Sequence, residues 1–356
     1  MTNRKTWARD ALISLLLAAG YMLIFAYNNT PLGAAIGSDN AMYLTMGTAL
    51  AKEYAPYTEI FDHKGPLLFL LQLFPQAVSG GYSLTAVFIQ ETLVLFACLM
   101  MMRAIAKELD VCPWAAQIVY MAMTCAFMDG GNLTEEYTNL PAICAIYLSI
   151  RCFGREEPED KLFLPAMGMG VCAMAAFMLR ANNALPIAAL VLVLAVGLLT
   201  ARRYVQLGQC AGGFVTGMLA VTVPIVLWLA EKGALHEAWY GAIIHNMMYA
   251  ESGTGDRFAS LFTTNYGHMA IALAAFSCLG AGVIYRKKHR ATLAAVGAVS
   301  LMTAFREKRR VAAGILAACS CIWLCMQGVK ANDLRLSERQ GLDQFTQDAQ
   351  LSLIHI

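Results

Sequence analysis

GQCAGGFVTGMLAVTVPIVLWLA, residues 208–230, runs for twenty-three positions without a charged side chain. A helical membrane crossing needs only about 17–25 such residues, so this segment is long enough to span a bilayer by itself. Working outward from it, the same pattern recurs along the chain: apolar runs separated by short charged clusters. Hydrophobic residues make up 58 % of the 356 positions and charged residues 14 %, against about 25 % charged in a soluble domain. That much apolar surface has to face lipid.

The expected fold is all-α, a polytopic transmembrane helical bundle of about 9–11 membrane segments. Candidate spans are 11–27, 82–102, 112–128, 140–150, 162–179, 184–200, 208–230, 267–285, 291–304 and 311–329. The run 66–79 is short and carries Pro75, so it is expected to lie at the membrane face or dip into it. The 11 cysteines lack any CxxC pair, and Cys98, Cys172, Cys278 and Cys319 sit inside apolar runs as small core residues. The formal net charge of +2 points to no nucleic-acid partner.

Lys and Arg accumulate in cytoplasmic loops. With the N-terminus inside and 66–79 not crossing, the inner segments hold fourteen basic residues up to Arg290, including Arg4, Arg103, Arg151, Arg202 and the RKKHR cluster at 286–290. The outer segments hold five: Lys52, Lys64, Arg180, Lys232 and Arg257. The outer face then carries loops 28–65, 129–139 and 231–266, within a transmembrane domain 1–329. The topology of 291–329 is open, because Arg306, Lys308, Arg309 and Arg310 fit the inside only if 291–304 is re-entrant. The polar tail 330–356 closes on LSLIHI, which resembles translated sequencing adaptor, so a truncated C-terminus is expected.

Polar chemistry concentrates in the outer loops. Asp39 heads a helix-like stretch and is either its N-cap or a carboxylate able to take a proton from an attacking hydroxyl. Asp62, His63 and Lys64 stand directly before an apolar helix, where Lys64 either snorkels or meets a lipid phosphate. Glu135 and Glu136 share the short second loop and would orient an acceptor, steady a cation or simply be solvated. Arg180 opposes the charge bias and suits a bound anion. The third loop offers His236, Glu237, His245, Glu251, Asp256 and His268 without HxH or HExxH spacing, so a divalent metal is admitted there but no cofactor is required.

Asp39, then Tyr43, the pair Pro56-Tyr57, and Lys64-Gly65-Pro66 entering an apolar helix resemble the first outer loop of GT-C glycosyltransferases. The similarity is nearest to the glycosyltransferase 39 and aminoarabinose-transferase-like membrane enzymes, and covers roughly residues 1–290. It implies a multi-pass enzyme of the bacterial plasma membrane that works on the extracytoplasmic face. Its partners would be membrane lipid, a polyprenyl-phosphate-linked sugar and an unknown acceptor. Asp39 would match the catalytic aspartate, Lys64 the lysine associated with the lipid phosphate, and Glu135 or Glu136 the acidic residue of the second loop. Tyr43, Tyr57, Asp62, His63 and Arg180 complete the expected substrate-binding set. Gly65 departs from the family's first proline. A polytopic transporter or flippase, and a non-catalytic envelope-glycan assembly protein, are the competing readings; a transporter predicts ionisable residues deep in several spans, where Glu91 is the clear case.

Overall fold

A computed structural model describes residues 4–26, 29, 38–81, 83–125, 130–153, 161–246 and 248. The expected spans 267–285, 291–304 and 311–329, the polar tail, and the third-loop residues Glu251, Asp256, Arg257 and His268 lie outside them. The described part is helical: α1 (Arg4–Phe25), α2 (Ser38–Ala51), α3 (Pro66–Leu71), α4 (Leu73–Ser79), α5 (Leu84–Glu108), α6 (Pro113–Cys125), α7 (Thr134–Phe153), α8 (Phe163–Leu179), α9 (Leu185–Thr200), α10 (Tyr204–Glu231) and α11 (Leu235–Trp239). A 3-10 turn, Ala181–Ala184, leads into α9, and a π-helical turn, Tyr240–His245, follows α11. Four helical segments are long and apolar enough to cross a membrane: Thr6–Phe25, Leu84–Glu108, Ala181–Thr200 and Tyr204–Glu231. The chain is a helical membrane protein.

The short expected run at 140–150 is part of a longer helix whose N-terminal side is polar: α7 begins at Thr134 and has 20 residues. Helix signals in the sequence mark several starts. Pro66 opens α3 behind Gly65, and the Ser83 hydroxyl caps α5 by accepting from Ala86 N at 3.3 Å. The run 66–79 does not form one helix. Pro75 has no N–H for the carbonyl of Leu71 and its ring crowds that carbonyl, so the helix ends there and restarts at Leu73. Leu68, Phe69 and Gln72 are buried, so this pair of short helices dips into the bundle instead of lying on its face.

Alternation of the long helices sets two ends. At one, Asp10 of α1 pairs with Arg103 of α5, whose guanidinium stacks over Trp114 of α6 at 4.2 Å, and Gln117 donates to Ser14 and to the Leu99 carbonyl at 2.9 Å each. Hydrogen bonds of this kind join helices where no hydrophobic force between them is available. Helices α8 and α10 meet backbone to backbone: a Cβ at Gly170, Gly213 or Gly217 would strike the partner helix's carbonyls. At the other end, α2 and the segments before α3, before α7, after α8 and after α10 gather over the core of Tyr43, Leu68, Phe69, Leu133, Tyr137, Leu179 and Leu229. That end holds the site.

Candidate functional site

The site is built on an irregular turn between α2 and α3. Pro56 and Ile60 form an isolated bridge, with Tyr57 N donating to the Ile60 carbonyl at 2.7 Å. Tyr57 adopts a φ of 63°, a left-handed conformation that a bulky residue holds only when its surroundings impose it. They do: its ring packs on Phe69 at 4.8 Å, and its hydroxyl donates to the Lys64 carbonyl at 2.7 Å. Burial, then the nearby Asp62 charge, raises the phenol's pKa, which keeps that donor protonated. Downstream, Gly65 N donates to the Leu179 carbonyl at 2.9 Å, and a Cβ at Gly65 would run into the Met178 backbone. The Lys-Gly-Pro order is explained by this contact: only glycine lets the loop dock on the end of α8.

Docking fixes three titratable groups. Asp62 Oδ1 accepts from Lys64 N at 2.8 Å and lies 3.4 Å from His63 Nδ1 and 3.9 Å from Lys64 Nζ. Lys64 Nζ donates to His63 Nε2 at 2.9 Å, which requires that nitrogen to be unprotonated and leaves Nδ1–H to face Asp62. Asp62 and Lys64 are only 3 % and 6 % exposed, so Lys64 does not snorkel into solvent. Asp62 Oδ2 is buried without a hydrogen-bond partner. Burial is the main cause that lowers the Lys64 pKa; burial and then Lys64 push His63 down to about 4.

Two other elements bring charge to the same place. From α2, Asp39 accepts from the Tyr43 hydroxyl at 3.4 Å, and the Tyr43 ring lies under Lys64 Nζ at 5.9 Å. Burial first, then the Asp39 charge, holds the Tyr43 phenol above its ordinary range. From the first turn of α7, Glu135 pairs with Arg180, just past α8, at 2.9 Å. Lys64 feels Asp62, Arg180, Asp39 and Glu135. Of the expected site residues, Asp39, Tyr43, Tyr57, Asp62, His63, Lys64, Glu135 and Arg180 therefore converge. Joining them is His245 on the π-helical turn, its ring 5.8 Å from that of His63, and Asn246 donates to the His63 carbonyl. His236 and Trp239 stay exposed.

Glu136 does not join this cluster. Adjacent positions on a helix point about 100° apart, and Glu136 turns inward, where its side chain hydrogen-bonds Glu91 of α5. Both line a cavity of about 20 Å³ with Tyr21, Tyr120, Thr124 and Tyr137, room for about one water. Here the structure adds what the sequence reading missed. Glu91 accepts from the Asn29 amide at 3.0 Å and from Asn132 N. Asn40 donates to Asn29, Asn132 donates to Asn40 at 2.6 Å and to Gln72 at 3.2 Å, and Asn132 Oδ1 accepts from Gln72 at 2.9 Å and from the Tyr137 hydroxyl at 2.7 Å. The available signals were a lone glutamine inside LLFLLQLFP and an asparagine behind two glycines, all three at positive φ.

Among the described residues no three His, Cys, Asp or Glu side chains converge in a metal-holding group, and Cys98, Cys112, Cys144, Cys152, Cys172 and Cys210 are free thiols. What the cluster offers is acid–base and anion chemistry: carboxylates on two sides of a desolvated ammonium, with an imidazole and a guanidinium in reach. Comparison of the chain with protein-family models, with curated proteins and with solved structures found no match.

Proposed function

We propose that this membrane protein is an extracytoplasmic glycosyltransferase that moves a sugar from a polyprenyl-phosphate donor to an acceptor hydroxyl with inversion. One observation carries the reading: Asp39, Lys64, Glu135 and Arg180, up to 141 positions apart, come together with Tyr43, Asp62 and His63 at one end of a membrane bundle. Charges are costly where a chain re-enters lipid, and clustering them from several elements points to use. The basic-residue bias of the opposite loops supports the extracytoplasmic side.

In this mechanism the lipid phosphate sits against Lys64 and Arg180, which offset the charge that grows on it as the glycosidic bond breaks. Asp39 accepts the proton of the acceptor hydroxyl while that oxygen attacks the anomeric carbon from the face opposite the phosphate. Tyr43, hydrogen-bonded to Asp39 and stacked under Lys64, keeps the base and the phosphate seat in fixed relation. No nucleotide-binding loop is needed, since the donor's leaving group is already a lipid phosphate.

The test is Asp39→Asn in membranes supplied with a radiolabelled polyprenyl-phosphate sugar. Transfer should fall by about a hundredfold or more, with membrane insertion unchanged; wild-type transfer in that variant refutes the role. A second reading, transport, is favoured by the Glu91–Glu136 pair, two hydrogen-bonded carboxyl groups beside a cavity within the bundle. Glu91→Gln separates the two: it blocks flux in a transporter and leaves sugar transfer intact in a glycosyltransferase that retains its fold.

A further inference from the structure

The charge balance of the cluster does not suit an anion as it stands. Counting formal charges, Asp39, Asp62 and Glu135 face Lys64 and Arg180, three against two. A bound monoanionic phosphodiester would bring the excess to two negative charges around a cluster whose Asp62 and Lys64 are almost wholly desolvated, which is costly unless it is offset. One group can offset it. His63 is uncharged while its Nε2 accepts from Lys64, and its Nδ1 already faces Asp62 at 3.4 Å.

Lys64 Nζ has three N–H donors, and a phosphate that draws the ammonium toward itself takes away the one that His63 accepts. If Lys64 Nζ turns to an incoming phosphate, Nε2 loses its hydrogen bond and the ring is left with Nε2 toward that phosphate and Nδ1 toward the buried Asp62 carboxylate. A proton on Nε2 then makes the imidazolium a donor to both anions. We propose that this site binds a monoanionic phosphodiester together with one proton from solvent, which His63 takes up as Lys64 leaves it. The inference rests on the reading of Lys64 and Arg180 as a phosphate seat and adds the ligand's charge state and its linkage to pH.

The neighbours of His63 act in both directions: Asp62 favours its imidazolium, whereas Lys64, Arg180 and His245 oppose it. Asp62 and Lys64 flank it in its own loop, Arg180 approaches from the end of α8, and His245 from the π-helical turn. Asp39 on α2 and Glu135 on α7 face Lys64, and Tyr43 carries that lysine. In the free protein burial is the first cause and Lys64 the second that hold His63 down at about 4. Turning Lys64 away and placing a phosphate beside the ring removes the second and adds an attraction. The bound-state pKa then rises toward neutrality.

The experiment is calorimetric titration of the full chain in detergent micelles with dioctyl phosphate, a diester whose charge is constant across the range, in two buffers of different ionisation enthalpy. Near pH 6 the buffer difference should report uptake of about one proton per ligand, and Kd should fall by up to about tenfold for each pH unit from 7 to 5. His63→Gln should bind with no uptake and a flat pH response. The wild-type result stands alone if that variant does not fold. Dimethyl phosphate resolves the source: uptake with it as well means the diester alone suffices, and uptake with dioctyl phosphate only means the ligand is a lipid. Binding without uptake, or equal uptake in His63→Gln, overturns the linkage and leaves the transferase reading standing. Absence of binding to either diester overturns the linkage and the phosphate seat together.

Discussion

The amide network of Asn29, Asn40, Gln72 and Asn132 and the charged cluster around Lys64 share α2 and the approach to α7, yet they close differently. In the network every buried side-chain nitrogen and oxygen of the four amides has a partner, and each bond links a different segment: the end of α1, α2, the break between α3 and α4, and the turn before α7. In the cluster Asp62 Oδ2 is buried without a partner, Lys64 is desolvated against a neutral imidazole, and Tyr57 holds a left-handed backbone. Satisfied polar groups specify a structure. Unbalanced ones store what a ligand can release. The difference teaches which of two equally polar regions to read as scaffold and which as site.

The comparison breaks most visibly at Asn132. Replacing it by alanine removes a hydrogen-bond partner from each of the buried groups Gln72, Asn40 and Tyr137 and puts a Cβ-only residue at a φ of 59°. With about 1–3 kcal/mol for each group so affected, partly relieved by rearrangement, the expected loss is about 3–5 kcal/mol. Thermal unfolding in detergent measures it, and a loss below 1 kcal/mol would show that the network is not a scaffold. Gly65→Ala acts at the border of the two regions. Its methyl meets the Met178 backbone, which cannot retreat without unseating α8, so a loss of about 1–3 kcal/mol is expected, together with weakened dioctyl phosphate binding as Lys64 is displaced.

Arg180→Gln should do the reverse of Asn132→Ala. The Arg180–Glu135 pair is partly exposed, at 23 % and 12 %, so its loss costs about 1 kcal/mol or less in stability. Anion binding should weaken by about tenfold, because one of two cations is gone. A variant that unfolds more readily but binds normally would move Arg180 from the site to the scaffold.

How much of this was legible in the sequence follows from what each signal measures. Apolar length is a property of single segments, so residues 208–230 announced α10, Tyr204–Glu231, within a few positions. The site's charged members were legible too, because a Lys or Arg against the topological bias stands out one residue at a time. The amide network was not, since Asn and Gln are unremarkable in polar loops and their meaning lies in pairings such as Gln72 with Asn132, sixty positions apart. Glu135 and Glu136 show the same limit. Adjacent carboxylates look equivalent in sequence, and only the helical phase of α7 sends one to Arg180 and the other to Glu91.

The smallest expected effect is also the most specific, a pH dependence of stability owed to His63. Its pKa is lowered from 6.5 to about 4 on folding, by burial and then by Lys64. Between those values the unfolded chain binds more protons than the folded one, so the contribution is fully present above pH 6.5 and drains away as pH falls through 4. About a third of the ring's surface faces solvent, which keeps the slope shallow. Carboxylates titrate over the same range, so the quantity to measure is the difference in Tm between wild type and His63→Gln from pH 7 to 4. Wild type should lose more on acidification. Saturating dioctyl phosphate should shrink that difference, because the bound protein now accepts the proton that the free fold refuses. A difference indifferent to the diester would mean that His63 senses pH through burial alone, and the diester would then not be the ligand that offsets the cluster's imbalance.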